Sequence, residues 1–324
     1  MSHLYLSLAL FAVSLLLTTC IHGVHVEPND IVKTIECECG DIIDCVDIYK
    51  QPSIKDPLLR DHKIQIAAAY ALNGPYHGAT AAIPIWKVQV EPNEFSKNYL
   101  LIASPHDRQF KYIRGKDPRD IKNQIAVGMA VYPSVLGDDN PRLYIYATND
   151  GGVDSHCLNH DCPFIQTNNQ FALGTQFRDS ESKVGGDLYF VTVALYRPTG
   201  PLVWWLAIND VAISYFHSSM FPVPFIENLH NEMGGRVLDT RPGVRHTTTW
   251  MGSGMLASAG ANNAASIAYY LGINDDGVDQ VDDFPVNSIV TNPMCYDVKN
   301  LGPDLKHPGN DVAYGGPGGY YCDQ

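Results

Sequence analysis

The stretch NEMGGRV, residues 231–237, places one acid and one base around a pair of glycines. Glu232 could act as a general acid or base, whereas Arg236 stays protonated at any working pH and cannot accept a proton. In an extended strand, residues four apart share a face but lie roughly 13 Å from each other, too far to share one water. The stretch therefore offers one carboxylate and one fixed cation.

A second candidate site is the stretch SHCLNHDCPF. Four potential zinc ligands crowd into seven residues there: His156, Cys157, His160 and Cys162. Structural zinc sites usually draw their ligands from two separated pairs, so the spacing favours a small Cys157–Cys162 disulfide loop. Cys295 and Cys322 would then staple the C-terminal segment.

Two further stretches carry weaker signals. The acidic loop NDDGVDQVDD, residues 274–283, lacks the alternating ligands and the closing glutamate of a calcium loop. The segment MGSGM, residues 251–255, lacks the five-residue pattern that exposes a nucleophilic serine. We interpret the first stretch as a solvated loop and the second as structural.

The elements that must position these residues are predicted to be strands. The chain has 324 residues, of which only 18% are charged, and it contains 27 glycines and 21 prolines, a composition that favours a turn-rich β protein. Aromatic and β-branched residues predict strands at 142–148, 187–196, 202–208 and 266–273, the second and third forming a hairpin. Only residues 225–233 suggest a helix. The sequence predicts a sandwich of two antiparallel sheets.

Charge and the N-terminus restrict the partners and the compartment. A net charge of -13 argues against nucleic acid as a partner. The apolar run at residues 4–19 predicts a signal peptide within residues 1–23, because it is short for a membrane anchor and lacks flanking Lys or Arg. We therefore expect a secreted protein with no membrane association after cleavage, and eight cysteines fit an oxidising compartment.

Residues 24–63 are polar and have little from which to build a core, so they are interpreted as a pro-segment or linker. Their cysteines, Cys37, Cys39 and Cys45, form an odd set, of which at least one is unpaired or lost with a processed segment.

Motifs along the rest of the chain resemble the neprosin family, plant secreted glutamic prolyl endopeptidases. They occur in the family's order: CGDIIDCVDIYKQPSIKDPLLRDHKIQ (39–65), HGATAAIPIWKVQVEPNEFS (77–96), TTWMGSG (248–254), NPMCYDV (292–298) and YGGPGG (314–319). The resemblance implies an activation segment at residues 24–63 and a β-sandwich domain at residues 64–324. It also implies the disulfides Cys157–Cys162 and Cys295–Cys322, and a pair of glutamates across a cleft that need no metal or cofactor.

Both catalytic positions of the resemblance lack their acid. The family's first glutamate stands in a stretch similar to Ile-Glu-Ala-Gly-Trp, and the matching segment QIAVGMAV, residues 124–131, has Ala126 at that place. The second stands in Trp-Gly-Gly-Glu-Val, and the matching MGGRV has Arg236 there. Neither side chain can serve as a proton-transferring partner, so no catalytic residue is assigned.

Several tryptophans of the family pattern are also replaced, and the replacements share an expected place in the cleft wall: Leu101, Met129, Ala147 and Phe216. Aromatic walls would supply the contact area of a proline-accepting cleft. The pattern predicts a cleft that has lost aromatic surface while the core is kept.

The leading hypothesis is a secreted, catalytically inactive peptidase homologue that binds a peptide, a protein or a cell-wall ligand. One alternative is an active prolyl endopeptidase that uses a shifted acid, for which Glu232 is the candidate. Another is a carbohydrate-binding sandwich, which rests on fold analogy alone.

Overall fold

The computed structural model describes residues 63–71, 74–104, 123–152, 155–221, 225–241, 245–260, 262–274, 287–303, 308–319 and 322. It also describes the backbone of four short strands at 18–21, 31–36, 42–47 and 279–280. Apart from the backbone of those strands, the predicted signal segment, the activation segment and most of the acidic loop fall outside the described residues. The cleavage of the first segment, the role of the second and the pairing of the three early cysteines stay predictions.

Strands dominate the described chain. In chain order they are β1 (Thr18–Ile21), β2 (Ile31–Glu36), β3 (Ile42–Asp47), β4 (Lys63–Ala71), β5 (Gly78–Pro84), β6 (Ser96–Ser104), β7 (Asn123–Val131), β8 (Arg142–Thr148), β9 (His156–Leu158), β10 (Ile165–Gln166), β11 (Phe190–Tyr196), β12 (Val203–Ile208), β13 (Val211–His217), β14 (His230–Asp239), β15 (Ala265–Ile273), β16 (Asp279–Gln280), β17 (Asn287–Val290), β18 (Asp297–Pro303) and β19 (Asn310–Gly315). One helical turn, α1 (Pro133–Leu136), follows β7, and single 3₁₀ turns lie at Asn159–Asp161, Ser218–Met220 and Ala257–Ala259. No helix of the described residues is long and apolar enough to cross a bilayer.

Two large antiparallel sheets form the domain, which confirms the predicted fold class. The front sheet has seven strands in the order β17-β4-β14-β6-β7-β8-β9. The back sheet has nine, in the order β10-β13-β12-β11-β5-β15-β19-β18, with β16 added beside β15. Strands β1 to β3 form a separate three-stranded sheet.

Strand predictions from composition are confirmed at β8, β11, β12 and β15, and β11 pairs with β12 as the expected hairpin. The helix expected at residues 225–233 is wrong. There, Asn228 bridges to Tyr76, and β14 begins at His230 and pairs with β4 on one side and β6 on the other. Long-range pairing in the centre of a sheet overrides a short local helical preference.

The main core lies between the two sheets. Alternate residues of the front sheet, such as Leu100, Val127 and Ile145, meet residues of the back sheet such as Val193 and Leu206. The opposite face of the front sheet carries a second apolar cluster, which includes Tyr99, Leu101, Ala126, Ala130 and Tyr144. We call this side the outer face. Since side chains alternate along a strand, residues of even number in β7 and β14 belong to it.

Close packing of glycines fixes β14 at its place. A Cβ added at Gly235 would lie 2.5 Å from the Met251 side chain and 2.8 Å from that of Tyr314. A Cβ at Gly234 would lie 2.3 Å from the carbonyl oxygen of Ala67 on β4. The glycine pair therefore lets β14 lie close to β4 on one side and to the Met251 and Tyr314 side chains on the other. Residues of three sequence motifs (MGGRV, TTWMGSG and YGGPGG) meet at this contact, on the core side of the sheet.

Both expected disulfides are confirmed. Cys157 bonds to Cys162 across a separation of five residues, and Cys295 bonds to Cys322. The first holds the loop after β9, and the second ties the C-terminal segment to the turn before β18. The MGSGM segment is a structural turn, as interpreted, because Met251 pairs through its backbone with Gly316.

A fully buried carboxylate ties the ends of β6 and β14 to the segment that follows β14. Glu94 accepts hydrogen bonds from the backbone N–H and the hydroxyl of Thr240, each at 2.9 Å, and from the hydroxyls of Thr247 and Thr249. A buried carboxylate is tolerated when its lone pairs are satisfied in this way.

We predict that Glu94→Ala lowers the free energy of unfolding by about 3 kcal/mol, because it leaves several buried donors unsatisfied and creates a cavity. Urea denaturation at neutral pH measures the change. Glu227→Ala removes an exposed glutamate and serves as the matched control, with an expected change of about 0.5 kcal/mol or less. Equal losses in the two variants would contradict the structural role of Glu94.

Candidate functional site on the outer face

The two positions that the motif resemblance assigns to the family's glutamates, Ala126 and Arg236, lie on the outer face of one sheet. Ala126 on β7 pairs with Leu101 on β6, which pairs with Glu232 on β14. Arg236 is four residues further along β14, where it pairs with Lys97 on β6. The backbones at 126 and 236 are therefore separated by one intervening strand and by two steps of the side-chain alternation.

The Arg236 side chain bridges much of this distance. Its Nη2 donates a hydrogen bond of 2.9 Å to Oε1 of Glu232, in an ion pair that is mostly buried. Its Cζ lies 4.5 Å from the ring centroid of Tyr99, an arrangement in which a cation is attracted by the π face. Its Nε is buried and has no hydrogen-bond partner among the described residues.

Glu232 is the most heavily contacted carboxylate of the outer face. Besides the arginine, the hydroxyl of Tyr99 donates to Oε1, and Nε2 of His230 lies 3.2 Å from Oε2. The His230 ring stacks on Tyr70 with centroids 5.4 Å apart, which fixes the imidazole beside the carboxylate. Glu232 is only 3% exposed.

These neighbours keep Glu232 ionised. Burial raises the pKa of Glu232, but the Arg236 cation and the hydrogen bonds from His230 and Tyr99 outweigh burial and hold that pKa at about 2. A carboxylate with so low a pKa is a weak proton acceptor, and both of its oxygens are already engaged. The arrangement binds and orients Arg236; it does not present a general base.

By strand spacing alone, the backbones of Glu232 and Arg236 are too far apart for the two residues to act on one group. The estimate of roughly 13 Å along a strand applies to the backbone. The long arginine side chain runs back along β14, so the two charged groups meet directly. The structure therefore joins two residues that the strand spacing had kept apart.

Lys97 is a feature of the outer face that sequence reasoning missed. Its Nζ lies between four aromatic rings, at 4.3 Å from the centroid of Phe95, 5.0 Å from Tyr144, 5.5 Å from Tyr132 and 5.9 Å from Tyr146. The rings come from three different stretches of the chain. One signal was present in the sequence, since Lys97 is the one charged residue of its strand and alternates with Tyr99 and Leu101.

The environment of Lys97 makes its ammonium group easy to deprotonate. Burial among the rings lowers the pKa of Lys97, the nearby Arg236 cation lowers it further, and together they bring it to about 7. The rings are themselves held neutral, since burial raises the pKa of Tyr146 to about 12 and that of Tyr144 further still.

The candidate zinc ligands of the SHCLNHDCPF stretch have different roles in the structure. Cys157 and Cys162 are bonded to each other and therefore cannot bind a metal as thiolates. His156 instead joins the edge of the outer face, where its ring stacks on Tyr146 with centroids 6.0 Å apart. Burial, followed by the nearby Lys97 cation, lowers the pKa of His156.

The prediction of a cleft stripped of aromatic surface is wrong for most of its residues. Met129, Ala147 and Phe216 are buried in the core between the sheets, so a tryptophan at any of these positions would lie in the interior and not in the wall of a cleft. Only Leu101 lies on the outer face. That face keeps an aromatic wall, formed by five residues that the pattern did not mark: Phe95, Tyr99, Tyr132, Tyr144 and Tyr146.

Comparison with known families identifies the family to which the chain belongs. The family model described as Neprosin matches residues 93–317, well over half of the chain, and includes both β7 and β14. The chain belongs to the neprosin family. The resemblance based on the ordered motifs is thereby confirmed, and the matched region holds the strands that carry Ala126, Arg236 and Lys97.

Among solved structures, the chain is similar to a crystal structure of Scytalido-glutamic peptidase with a peptide-based transition-state analogue. The identity is 10% and the TM-score is 0.37, over 79% of this chain and 98% of that one.

The low pKa of Glu232 has a consequence for stability. Its folded-state pKa, about 2, lies below the ordinary glutamate value of 4.5, so the ionised form adds stability that is present above pH 4.5 and is lost as the pH falls towards 2. We predict that Glu232→Gln lowers the free energy of unfolding by about 3 kcal/mol at pH 7 and that the difference from wild type shrinks towards zero near pH 2.

Chemical denaturation at several pH values between 2 and 7 measures this difference. Glu227→Gln, at an exposed glutamate, is the control and should follow the wild-type profile throughout. A Glu232→Gln penalty that stays constant across the range would show that the carboxylate is not held ionised by its neighbours.

Proposed function

We propose that this protein is a secreted member of the neprosin family that lacks glutamic peptidase activity and binds a peptide on the outer face of its front sheet. The observation that carries the proposal is the pair Ala126 and Arg236, which occupy the positions matching the family's glutamates and lie on one face of one sheet. A protein partner or a cell-wall component remains within the same binding hypothesis.

The chemistry of the face supports a loss of catalysis. A two-carboxylate mechanism needs one acid as base and the other as proton donor. Ala126 has no titratable group, and Glu232 alone cannot fill both roles. The presence of Arg236 also opposes the protonated state that a donor needs, because a cation in contact with a carboxylate lowers its pKa.

The same contacts bear on Glu232 as a shifted catalytic acid. A general base must keep a free lone pair and a pKa close to the working pH. Oε1 of Glu232 accepts hydrogen bonds from Arg236 and Tyr99, and Oε2 contacts His230. We therefore favour a structural role for Glu232 in holding the arginine.

The residue types on the outer face favour the binding of a peptide or protein. Tyrosine, phenylalanine and arginine are enriched where proteins contact their partners, because they give a large contact area with polar ends. The outer face combines the partly exposed rings of Phe95 and Tyr146 with partly exposed Arg236 and Lys97, while the other three rings are buried. An extended peptide could lie along such a face.

The proposal is tested by restoring both acids. Purified wild-type protein should leave proline-containing peptides intact between about pH 2 and 6, the range in which paired carboxylates divide their protonation states. The double variant Ala126→Glu with Arg236→Glu should acquire measurable cleavage, detected by mass spectrometry of the peptides. A gain of about 10²-fold over background or more is expected from general acid–base action.

The matched control is Ala126→Gln with Arg236→Gln, which reproduces side-chain size without the acids and should stay inactive. Cleavage by the wild-type protein, abolished in Glu232→Gln, would overturn the proposal and favour the shifted acid. Circular dichroism of each variant verifies that the β-sandwich is retained.

A further inference from the structure

Two cations lie on neighbouring strands of the outer face. Lys97 on β6 and Arg236 on β14 are register partners in adjacent antiparallel strands. Like charges in directly opposed positions destabilise a sheet, whereas opposite charges stabilise it. An arrangement of this kind is relieved when an anion lies between the two groups.

Some donors of these two side chains have no oxygen acceptor among the described residues. Arg236 uses Nη2 for Glu232, but its buried Nε has no partner among the described residues. The Lys97 ammonium has three N–H donors, and its recorded contacts in the described part of the chain are the four ring faces. Ring faces attract a cation but offer no lone pair as a carboxylate does.

The local charge balance points the same way. On the described part of the outer face, Glu232 is already paired with Arg236, and a second anion, Asp150, lies at the edge beside Tyr146 and His156. Lys97 is in contact with aromatic rings and has no ion pair among the described residues, although the chain as a whole has a net charge of -13. The family's pattern has an acid in place of Arg236, and the substitution therefore reverses the charge that a ligand would meet.

We propose that the outer face binds a peptide through the carboxylate of an acidic side chain, which bridges Lys97 and Arg236. A planar carboxylate suits this place, because one oxygen can accept from the free edge of the guanidinium and the other from the ammonium. Phe95 and Tyr146, the partly exposed rings beside Lys97, then contact the neighbouring residues of the peptide. The inference rests on the proposed function, since it names the ligand of the same face.

Protonation gives this binding mode a signature. With a pKa of about 7, Lys97 is largely neutral at pH 7.5, and a bound carboxylate would favour its charged form. Binding should therefore take up a fraction of a proton. The charged or titratable groups that face Lys97 in the described residues come from β14, β8, β9 and the segment after β7: Arg236, Tyr144, Tyr146, His156 and Tyr132.

The probes are two pools of blocked pentapeptides, with mixed residues at four positions and either Glu or Gln at the centre. Each pool is incubated with the full protein at pH 7.5, and retained peptides are counted by mass spectrometry after ultrafiltration. The wild-type protein should retain the Glu pool roughly tenfold more than the Gln pool, the factor that a charge-assisted hydrogen bond supplies. Calorimetry in two buffers of different ionisation enthalpy then measures proton uptake with the best-retained Glu peptide.

Three variants assign the effect to Lys97. Lys97→Met keeps an unbranched chain between the rings and should abolish both the preference for Glu and the proton uptake. Lys97→Arg should keep the preference without proton uptake, because a guanidinium stays charged at this pH. Lys87→Met, at a lysine paired with Asp139 outside the outer face, is the control and should behave as wild type.

Each outcome decides the inference. Equal retention of the two intact pools, or an unchanged preference in Lys97→Met, overturns it while leaving peptide binding by this face standing. Retention of neither pool overturns it as well. Inorganic phosphate that displaces the Glu peptides at an equal concentration would show a general anion site and overturn the carboxylate assignment. Recovery of cleaved peptides is the separate result that would refute the proposed function.

Discussion

The buried contact between Glu232 and Arg236 sets the character of the outer face. A carboxylate that is almost wholly removed from water can stay ionised only with a cation and hydrogen-bond donors around it, and the guanidinium needs an anion for the same reason. Removing either partner would leave an uncompensated charge beneath the aromatic rings. Arg236 is thus held in place by Glu232, Tyr99 and the strand pairing together.

The glycine motif on β14 contributes to the packing of the strand behind the outer face and supplies no reactive group to it. Gly234 and Gly235 allow β14 to lie close to β4 and to the side chains of Met251 and Tyr314. These contacts depend on the absence of a side chain at two positions and do not involve residue 236. The packing frame, and the family match over residues 93–317, therefore do not depend on the identity of the residue that follows the glycine pair.

The aromatic residues of the outer face are not the ones that the sequence pattern marked. Positions 129, 147 and 216 belong to the core between the sheets, where neighbouring side chains can accommodate a different shape. The rings that surround Lys97 are one phenylalanine and three tyrosines. The outer face therefore combines cationic side chains with aromatic rings.

Much of this architecture follows from the sequence alone. The all-β class, four of its strands, both described disulfides and the family follow from composition, alternation and ordered motifs, because these are local properties of the chain. The alternation of side chains also places Glu232 and Arg236 on one face. Only the tertiary structure decided which face is the interior, that β14 replaces the expected helix at residues 225–233, and that Lys97 stands opposite Arg236. Those facts depend on the register between strands far apart in the sequence, which long-range packing selects and no local pattern encodes.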